Sequence, residues 1–579
     1  FQYYIISSVN MKNNPKIEIL PEDKIKLTQD QKNLIELAFD KKRSEERKEW
    51  LKAYDKNNII EQSQKKVLYH EFIDKELIHF SDYDCKRSIP SMCDGLKPSL
   101  RKIIYSCFKR NLKKELKVAQ LAGYVSENSA YHHGEASLYE SIIGLAQDFV
   151  GSNNIELLEP KGQFGTRIGG GGDAASPRYI FTNLNPLTFH IYNPLDNPLL
   201  EYNEDDGKKI EPIWYIPIIP VILVNGTEGI GTGFSTKVPP HDPELIVKNL
   251  IHLMDDEPME KMKPWYRGFR GAVELKGTNE NGSEQYTNKG VYRIVDETTV
   301  IISELPIGKW TEDYKVYLES LLYDKNVENK GNKQCLVDFS NNSTEKVVSF
   351  TLTFKKGDLS DLRVSDQLET VLKLTDSKHS NYSNMHLYNN KETISKYDSA
   401  EDIMKEFYLL RLVYYDKRKD YMLKHMQREL DIYASKIRFI EEFISGEINI
   451  LHKEDEEIEA MLVERNYPKF GNSDNIEEED ETGFSYNYLL NMQIKSLTKK
   501  KIEELKKMHE NKLATYNELL QKSNKDLWKE DLSKFLDLYR AKINEYNNAM
   551  EKQVKTVHPT KTVIKKVIKK VVVKKAASP

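Results

Sequence analysis

Between Thr28 and Lys56 apolar residues recur at helical spacing among lysines and glutamates, with Leu34, Leu37, Ala38 and Trp50 as the anchors of an amphipathic stretch. Residues 1–27 carry no such pattern. Helical periodicity returns over residues 68–110 and ends in Pro98–Arg110, where Pro98 suits the first turn. It continues over 117–126 and 134–150, with Ile142, Ile143, Leu145, Ala146 and Phe149 on one face. The period then shortens. Trp214–Val224, Val291–Leu305 and Val347–Phe354 alternate or run apolar with β-branched residues and predict strands, separated by polar loops at Gly277–Gly290 and Asn326–Lys333. From Ser399 onward the spacing is helical again. Ile403, Phe407, Leu410, Tyr414 and Tyr421 form one run, and Leu430, Tyr433, Ile437, Ile440 and Ile444 resume it after a slip. A long stretch of this kind without internal Gly or Pro predicts one arm of a coiled coil. A second arm follows over Ile494–Leu520, then a helix over Asp526–Tyr539, with a globular segment at 448–492 between the arms.

A chain of 579 residues exceeds what one core supports and predicts three or four domains. It has no run of eighteen apolar residues, which excludes a helical membrane span. The four cysteines, Cys85, Cys93, Cys107 and Cys335, have no CxxC spacing and read as reduced thiols. The net charge of −4 hides an asymmetry: residues 552–579 carry nine lysines and no acid, which leaves −13 on the rest. Any nucleic-acid contact therefore has to come from local basic patches and not from bulk charge.

Two stretches carry candidate chemistry, Ser176-Pro-Arg-Tyr179 and Tyr131-His-His-Gly-Glu135. A phenol with a pKa near 10 is ionised about once in a thousand at neutral pH, a cost of roughly 4 kcal/mol that nearby cations reduce. The same cations would hold charge on a pentavalent phosphoryl transition state. On composition alone Tyr179 reads as a half-buried strand tyrosine. Gly229-Ile-Gly-Thr-Gly233 lacks the G-x-G-x-x-G spacing of a dinucleotide loop, and without further context Ile230 reads as a core residue beside a glycine turn.

Six motifs, taken in order, change those readings. Arg87-Ser-Ile-Pro-Ser-Met-Cys-Asp-Gly-Leu-Lys-Pro98, Tyr131-His-His-Gly-Glu135, Gly162-Gln-Phe-Gly-Thr-Arg167, Ser176-Pro-Arg-Tyr179, Glu228-Gly-Ile-Gly-Thr-Gly233 and Asp526-Leu-Trp-Lys-Glu-Asp531 resemble the eukaryotic type IIA DNA topoisomerases. The resemblance covers their breakage-reunion portion, without the ATPase and Toprim domains. It implies an α+β multidomain chain: a linker (1–61) following a missing Toprim domain, a winged-helix domain (62–208), a strand-rich tower (209–385), a coiled-coil arm with a dimerising C-gate (386–545), and a basic disordered tail (546–579). Neither the Toprim motifs Glu-Gly-Asp-Ser-Ala and Asp-x-Asp-x-x-Gly nor a phosphate-binding loop occurs in the chain, so Mg2+ and ATP are expected to be bound by parts outside it.

The resemblance also implies roles. Tyr179 would attack a backbone phosphate of double-stranded DNA and leave a 5′-phosphotyrosyl link, Arg178 would stabilise the transition state, and His133 would touch the scissile phosphate or relay a proton. Arg87, Lys97 and Arg101 would hold phosphates, with Tyr131, His132 and Arg167 as weaker candidates for DNA contact. Ile230 would wedge between base pairs, and Trp310 would lie on the bent duplex. The chain departs from the family at Ser99-Leu100, where Gly-Gln is common, and at Gly308-Lys309, where Arg-Thr is commoner. The glycine run Gly169–Gly172 predicts a flexible wing tip beside the tyrosine. A homodimer, a nuclear location and a nuclear-import or DNA-binding role for the tail complete the expectation. A DNA-bending clamp that has lost catalysis remains the alternative. A tyrosine recombinase would leave the coiled-coil segments without a purpose.

Overall fold

Thr28 opens the first helix, Gln29–Phe39, through a capping box. Its hydroxyl accepts from the Gln31 amide, and the Gln31 side chain accepts from the Thr28 amide. The computed structural model describes residues 27–61, 63, 67–279, 282–323, 334–450, 453–471, 484–493 and 497–558. The chain divides into two compact units, Phe1–Ser88 with Ile230–Ser235, and Ile89–Gly229 with Thr236–Pro579.

In the first unit the Thr28–Lys56 stretch breaks at Asp40 into two helices, the second being Ser44–Lys52. Ala38, Ile73 and Leu77 form a small core with Leu34, Ile35, Trp50 and Phe72. The Trp50 indole donates to Asp74 at 2.9 Å. The helix Ile78–Ser88 also holds the segment 230–235: Thr232 donates to Asp84 at 2.9 Å and its carbonyl accepts from the Cys85 thiol.

The second unit begins with three helices, Pro98–Lys109, Val118–Asn128 and Glu135–Ala146, as the periodicity predicts. They pack with a three-stranded antiparallel sheet in which Phe181–Leu184 lies between Leu116–Lys117 and Leu158–Lys161. A four-stranded antiparallel sheet runs in the order Val291–Ile294, Thr299–Glu304, Phe350–Phe354, Leu336–Asn341, over its own core of Val300, Ile302, Phe350 and Leu352.

Two predicted elements differ. Trp214–Val224 is not a strand: Pro217 and Pro220 remove ladder donors, and the segment ends in the short helix Val221–Asn225. Its backbone groups bond elsewhere, Tyr215 N to the Asp94 carboxylate and Ile218 O to the Trp528 indole. The expected loop Gly277–Gly290 instead holds most of a hairpin, Ala272–Thr278 with Glu284–Lys289. Its polar sequence concealed an inward face of Tyr286 and Asn288, both buried.

The long helix Ala400–Ser445 spans 46 residues from a Ser399 cap to Gly446, whose φ of 82° ends it. Lys499–Gln521 packs along it, with Ile502 and Leu505 in one cluster with Ile440. Phe439, Ile448, Leu462 and Tyr486 centre a further small core. The last helix, Asn524–Val557, runs into the segment expected as tail; there Met550 is buried and Arg267 stacks on Tyr546 at 4.8 Å. The loop Asn326–Lys333 and the tail lysines beyond 558 lie outside the described residues. Among those described, no helix is long and apolar enough to cross a membrane. All four cysteines are buried and none is in a disulfide.

Candidate active site

Ser176–Tyr179 is a β-turn closed by Tyr179 N donating to Ser176 O at 2.9 Å, with Pro177 at the position that favours proline. The helix Val118–Asn128 has no side-chain N-cap. Its first amides are met by this turn instead, Val118 N donating to Ile180 O at 3.0 Å and Ala119 N to Pro177 O at 3.1 Å. Ile180 is buried and Phe181 begins the central strand, so the backbone on either side is anchored. Tyr179 itself is 77% exposed. A fixed backbone thus presents a phenol to solvent, in place of the half-buried strand tyrosine that composition suggests.

Arg178 is exposed beside it. Its charge reaches Tyr139, whose phenol is raised by burial and by the Glu135 carboxylate against the pull of Arg178. The Tyr139 hydroxyl donates to Glu135 at 3.2 Å, and Glu135 opens the helix that follows His133 and Gly134. The Arg178 charge acting on Tyr139 brings the field of the tyrosine turn to the helix that follows the histidine motif, some forty-five residues apart in sequence. His133 is half-buried, its ring edge-on to Tyr131 at 5.3 Å. Tyr131 is buried with its hydroxyl unpartnered, and His132 is exposed.

The glycine run is packed, which corrects the expectation of a loose tip. A Cβ on Gly170 would overlap the Trp310 ring, and one on Gly171 the Gln147 amide. Thr166 N donates to Asp173 at 2.8 Å and Gly171 N to Thr166 O at 3.0 Å. Trp310 is half-buried, edge-on to Phe149 at 5.8 Å, and precedes a helix whose first amides donate to the Arg167 and Ile168 carbonyls. Gly170 and Gly171 are there because nothing larger fits.

The basic candidates separate by environment. Arg167 is 3% exposed, paired with Glu304 at 2.5 Å and donating to Leu305 O. Arg101 is likewise buried, bound to Asp94 at 2.6 Å and to Leu96 O. Both guanidiniums are committed inside the protein, because a buried cation needs its partners. This corrects the expectation that they hold DNA. Lys97 lies half-buried at the start of its helix and donates to Glu228 O at 2.8 Å; burial lowers its ammonium against the pull of Glu228. Arg87 is exposed in the last turn of Ile78–Ser88 in the first unit. Ile230, at the end of the strand Thr227–Ile230, is 78% exposed, so it is no core residue.

Residues 87–533 match the family of the DNA gyrase/topoisomerase IV A-type subunit. The chain belongs to that family. Residues 17–85 match the C-terminal associated domain of TOPRIM. The chain is 46% identical to the protein named DNA topoisomerase 2 of Arabidopsis thaliana over 497 residues, which is 81% of this chain and 33% of that protein. It is 41% identical to the one of Saccharomyces cerevisiae over 518 residues, 83% of this chain and 35% of that protein. It thus spans about a third of the length of these relatives. The crystal structure of the Plasmodium falciparum topoisomerase II DNA-binding, cleavage and re-ligation domain superposes with a TM-score of 0.77 at 38% identity, covering 90% of this chain and 71% of that one.

In this member of the gyrase/topoisomerase IV family, the Asp526–Asp531 motif serves packing. Trp528 is fully buried, and Asp531 accepts from Arg418 at 2.6 Å and Tyr415 at 2.9 Å. Arg418 and Arg411 both close on the buried Asp196, which ties the long helix to the main core. A cleft of about 190 Å³ against the last helix is lined by Glu156, Arg267, Lys542 and Tyr546 and contains no predicted site residue. Among the described residues no three His, Cys, Asp or Glu side chains gather to hold a metal ion. Sequence reasoning missed Tyr139, although its i+4 spacing from Glu135 on a helix would have found it. It also missed Lys237, 2.8 Å from Glu228 across a hairpin, for which no local signal exists.

Proposed function

We propose that this chain is the cleavage core of a type IIA DNA topoisomerase. In it Tyr179 Oη attacks a backbone phosphorus, the bond to the 3′ oxygen breaks, and a 5′-phosphotyrosyl link forms. The phenol loses its proton and the leaving 3′ oxygen gains one; religation reverses both transfers, so the phosphoester is conserved and no external energy is needed to reseal. Arg178 carries charge for the phosphoryl oxygens, and His133 serves as a phosphate ligand or proton relay. A second duplex passes through the transient double-strand break. The observation that carries this reading is the exposed phenol on a turn whose backbone is pinned by a helix N-terminus.

In this reading residues 62–208 form the winged-helix domain, 209–385 the tower, and 386–545 the coiled coil and C-gate that joins two copies in a homodimer. Support comes from three helices on a three-stranded sheet, the four-stranded sheet, and the 46-residue helix with Lys499–Gln521 packed along it. Mg2+ and ATP functions fall to parts of the full enzyme beyond these residues, and the location is nuclear. The bending clamp without catalysis is disfavoured by the pinned turn, which a clamp has no reason to build.

The test restores a polypeptide bearing the Toprim motifs and supplies Mg2+ and supercoiled DNA. The parent sequence yields protein-linked 5′ ends, and Tyr179→Phe binds duplex with an unchanged melting temperature but yields none. A trapped phosphotyrosine mapped to any other tyrosine overturns the assignment.

A further inference from the structure

Gly308 has a φ of 77°, and a Cβ there would overlap the imidazole of His379. The ring therefore lies against bare backbone. On its other side Nδ1 is 2.9 Å from the Asp376 carboxylate, which also accepts from the Lys378 and His379 amides. The backbone of the residue is held as well, its carbonyl accepting from the Tyr266 hydroxyl at 2.7 Å. The His379 side chain is 34% exposed, whereas that of Asp376 is 8% exposed. A buried carboxylate and a glycine seat thus fix a histidine at the surface, a degree of orientation that a residue with no task does not need.

The charges around it are mostly cationic. His379 acts on Glu228, and Lys309 acts on Asp376. Glu228 is shared further by Lys237 at 2.8 Å and, through its carbonyl, by Lys97 at 2.8 Å. Three lysines and an imidazole thus surround two carboxylates. Glu228 and Ile230 lie on one strand, so the cluster begins two residues from the exposed isoleucine.

We propose that His379, oriented by Asp376 and seated on Gly308, is a further DNA-backbone ligand that donates through Nε2 to a phosphate, together with Lys97, Lys237 and Lys309. Protonated on both nitrogens, the ring donates through Nδ1 to Asp376 and through Nε2 outward, a charge-assisted contact. A phosphate contact positions the duplex without reading bases. The inference rests on the DNA-cleavage reading above.

Binding of the full chain to unrelated duplexes of equal length tests it. His379→Gln should make the log–log salt slope shallower by about one unit, so that its binding deficit changes about 3.5-fold between roughly 50 and 200 mM salt. The loss should be equal on all sequences, and His379→Lys should restore the slope. Gly308→Ala should reproduce the loss with every charge in place, because it unseats the ring. An unchanged slope in His379→Gln beside the expected one-unit change in Lys97→Gln overturns this inference alone. A lowered melting temperature with an unchanged slope also overturns it and makes the residue structural. Failure of the parent chain to bind duplex overturns the reading beneath it.

Discussion

Arginines 101, 167 and 178 have one chemistry and two fates, decided by their neighbours. Asp94 and Glu304 draw the first two inside, where each guanidinium has a carboxylate and a backbone carbonyl. Arg178 follows a proline in a turn and stays in solvent, where it can meet an anion that arrives later. Ile230 shows the same dependence in an apolar residue. At 78% exposure it has little burial to lose, so Ile230→Ala should leave the melting temperature unchanged, within about 0.5 kcal/mol. It should still reduce the bend of bound duplex, read by fluorescence transfer between the duplex ends, more than it reduces affinity. A markedly lower melting temperature with an unchanged bend would return the residue to a packing role.

Among the elements, two glycines of the same region make opposite predictions. Gly170 has a φ of 60°, and its Cβ would overlap the Trp310 ring, so Gly170→Ala should destabilise by about 1–3 kcal/mol and weaken cleavage by moving the turn that leads to Tyr179. Gly144 sits inside the helix Glu135–Ala146 with nothing near its Cβ, so Gly144→Ala should stabilise by about 0.5–1 kcal/mol. Chemical denaturation of both variants checks the pair; an unchanged midpoint in Gly170→Ala would show that the run is merely flexible. The long helix makes a related point. Its periodicity predicts a helix, but its attachment depends on Arg411 and Arg418 reaching Asp196, more than two hundred residues away. Breaking such a buried pair typically costs about 3–5 kcal/mol.

At the scale of the whole molecule, pH should report on one buried histidine. His241 is fully buried; its Nε2 is 2.6 Å from the Tyr382 hydroxyl and its Nδ1 faces Leu223 O at 3.3 Å. Burial pushes its pKa down to about 4, against a smaller upward pull from the Leu223 carbonyl. The unfolded chain binds a proton at this residue near the ordinary value of about 6.5, while the folded chain stays neutral until about 4. Stability should therefore fall as pH drops through that window, by roughly 3 kcal/mol at most from this group. The urea midpoint of the parent chain should decline between about pH 6.5 and 4, and His241→Gln should remove much of that decline. Equal declines in both chains would assign the effect to other groups.

Element type was legible wherever a period was long or punctuated. The three helices around Pro98, the 46-residue helix and the strands near Val291 and Phe350 follow from apolar spacing, because the side chains that repeat on one face must be buried together. The six motifs likewise carry the family, because residue type and order survive without coordinates. Other features needed the folded chain. Prolines 217 and 220 turned an apolar run into an irregular core segment, and a polar stretch became a hairpin because Tyr286 and Asn288 face inward. Which arginines pair inside and which glycines are crowded by Trp310 and Gln147 are decided by contacts between separated positions, and that the Arg178 charge acts on Tyr139 is likewise set by the fold. Local sequence specifies what a segment can be; burial and charge neutralisation between remote segments decide what each side chain is available to do.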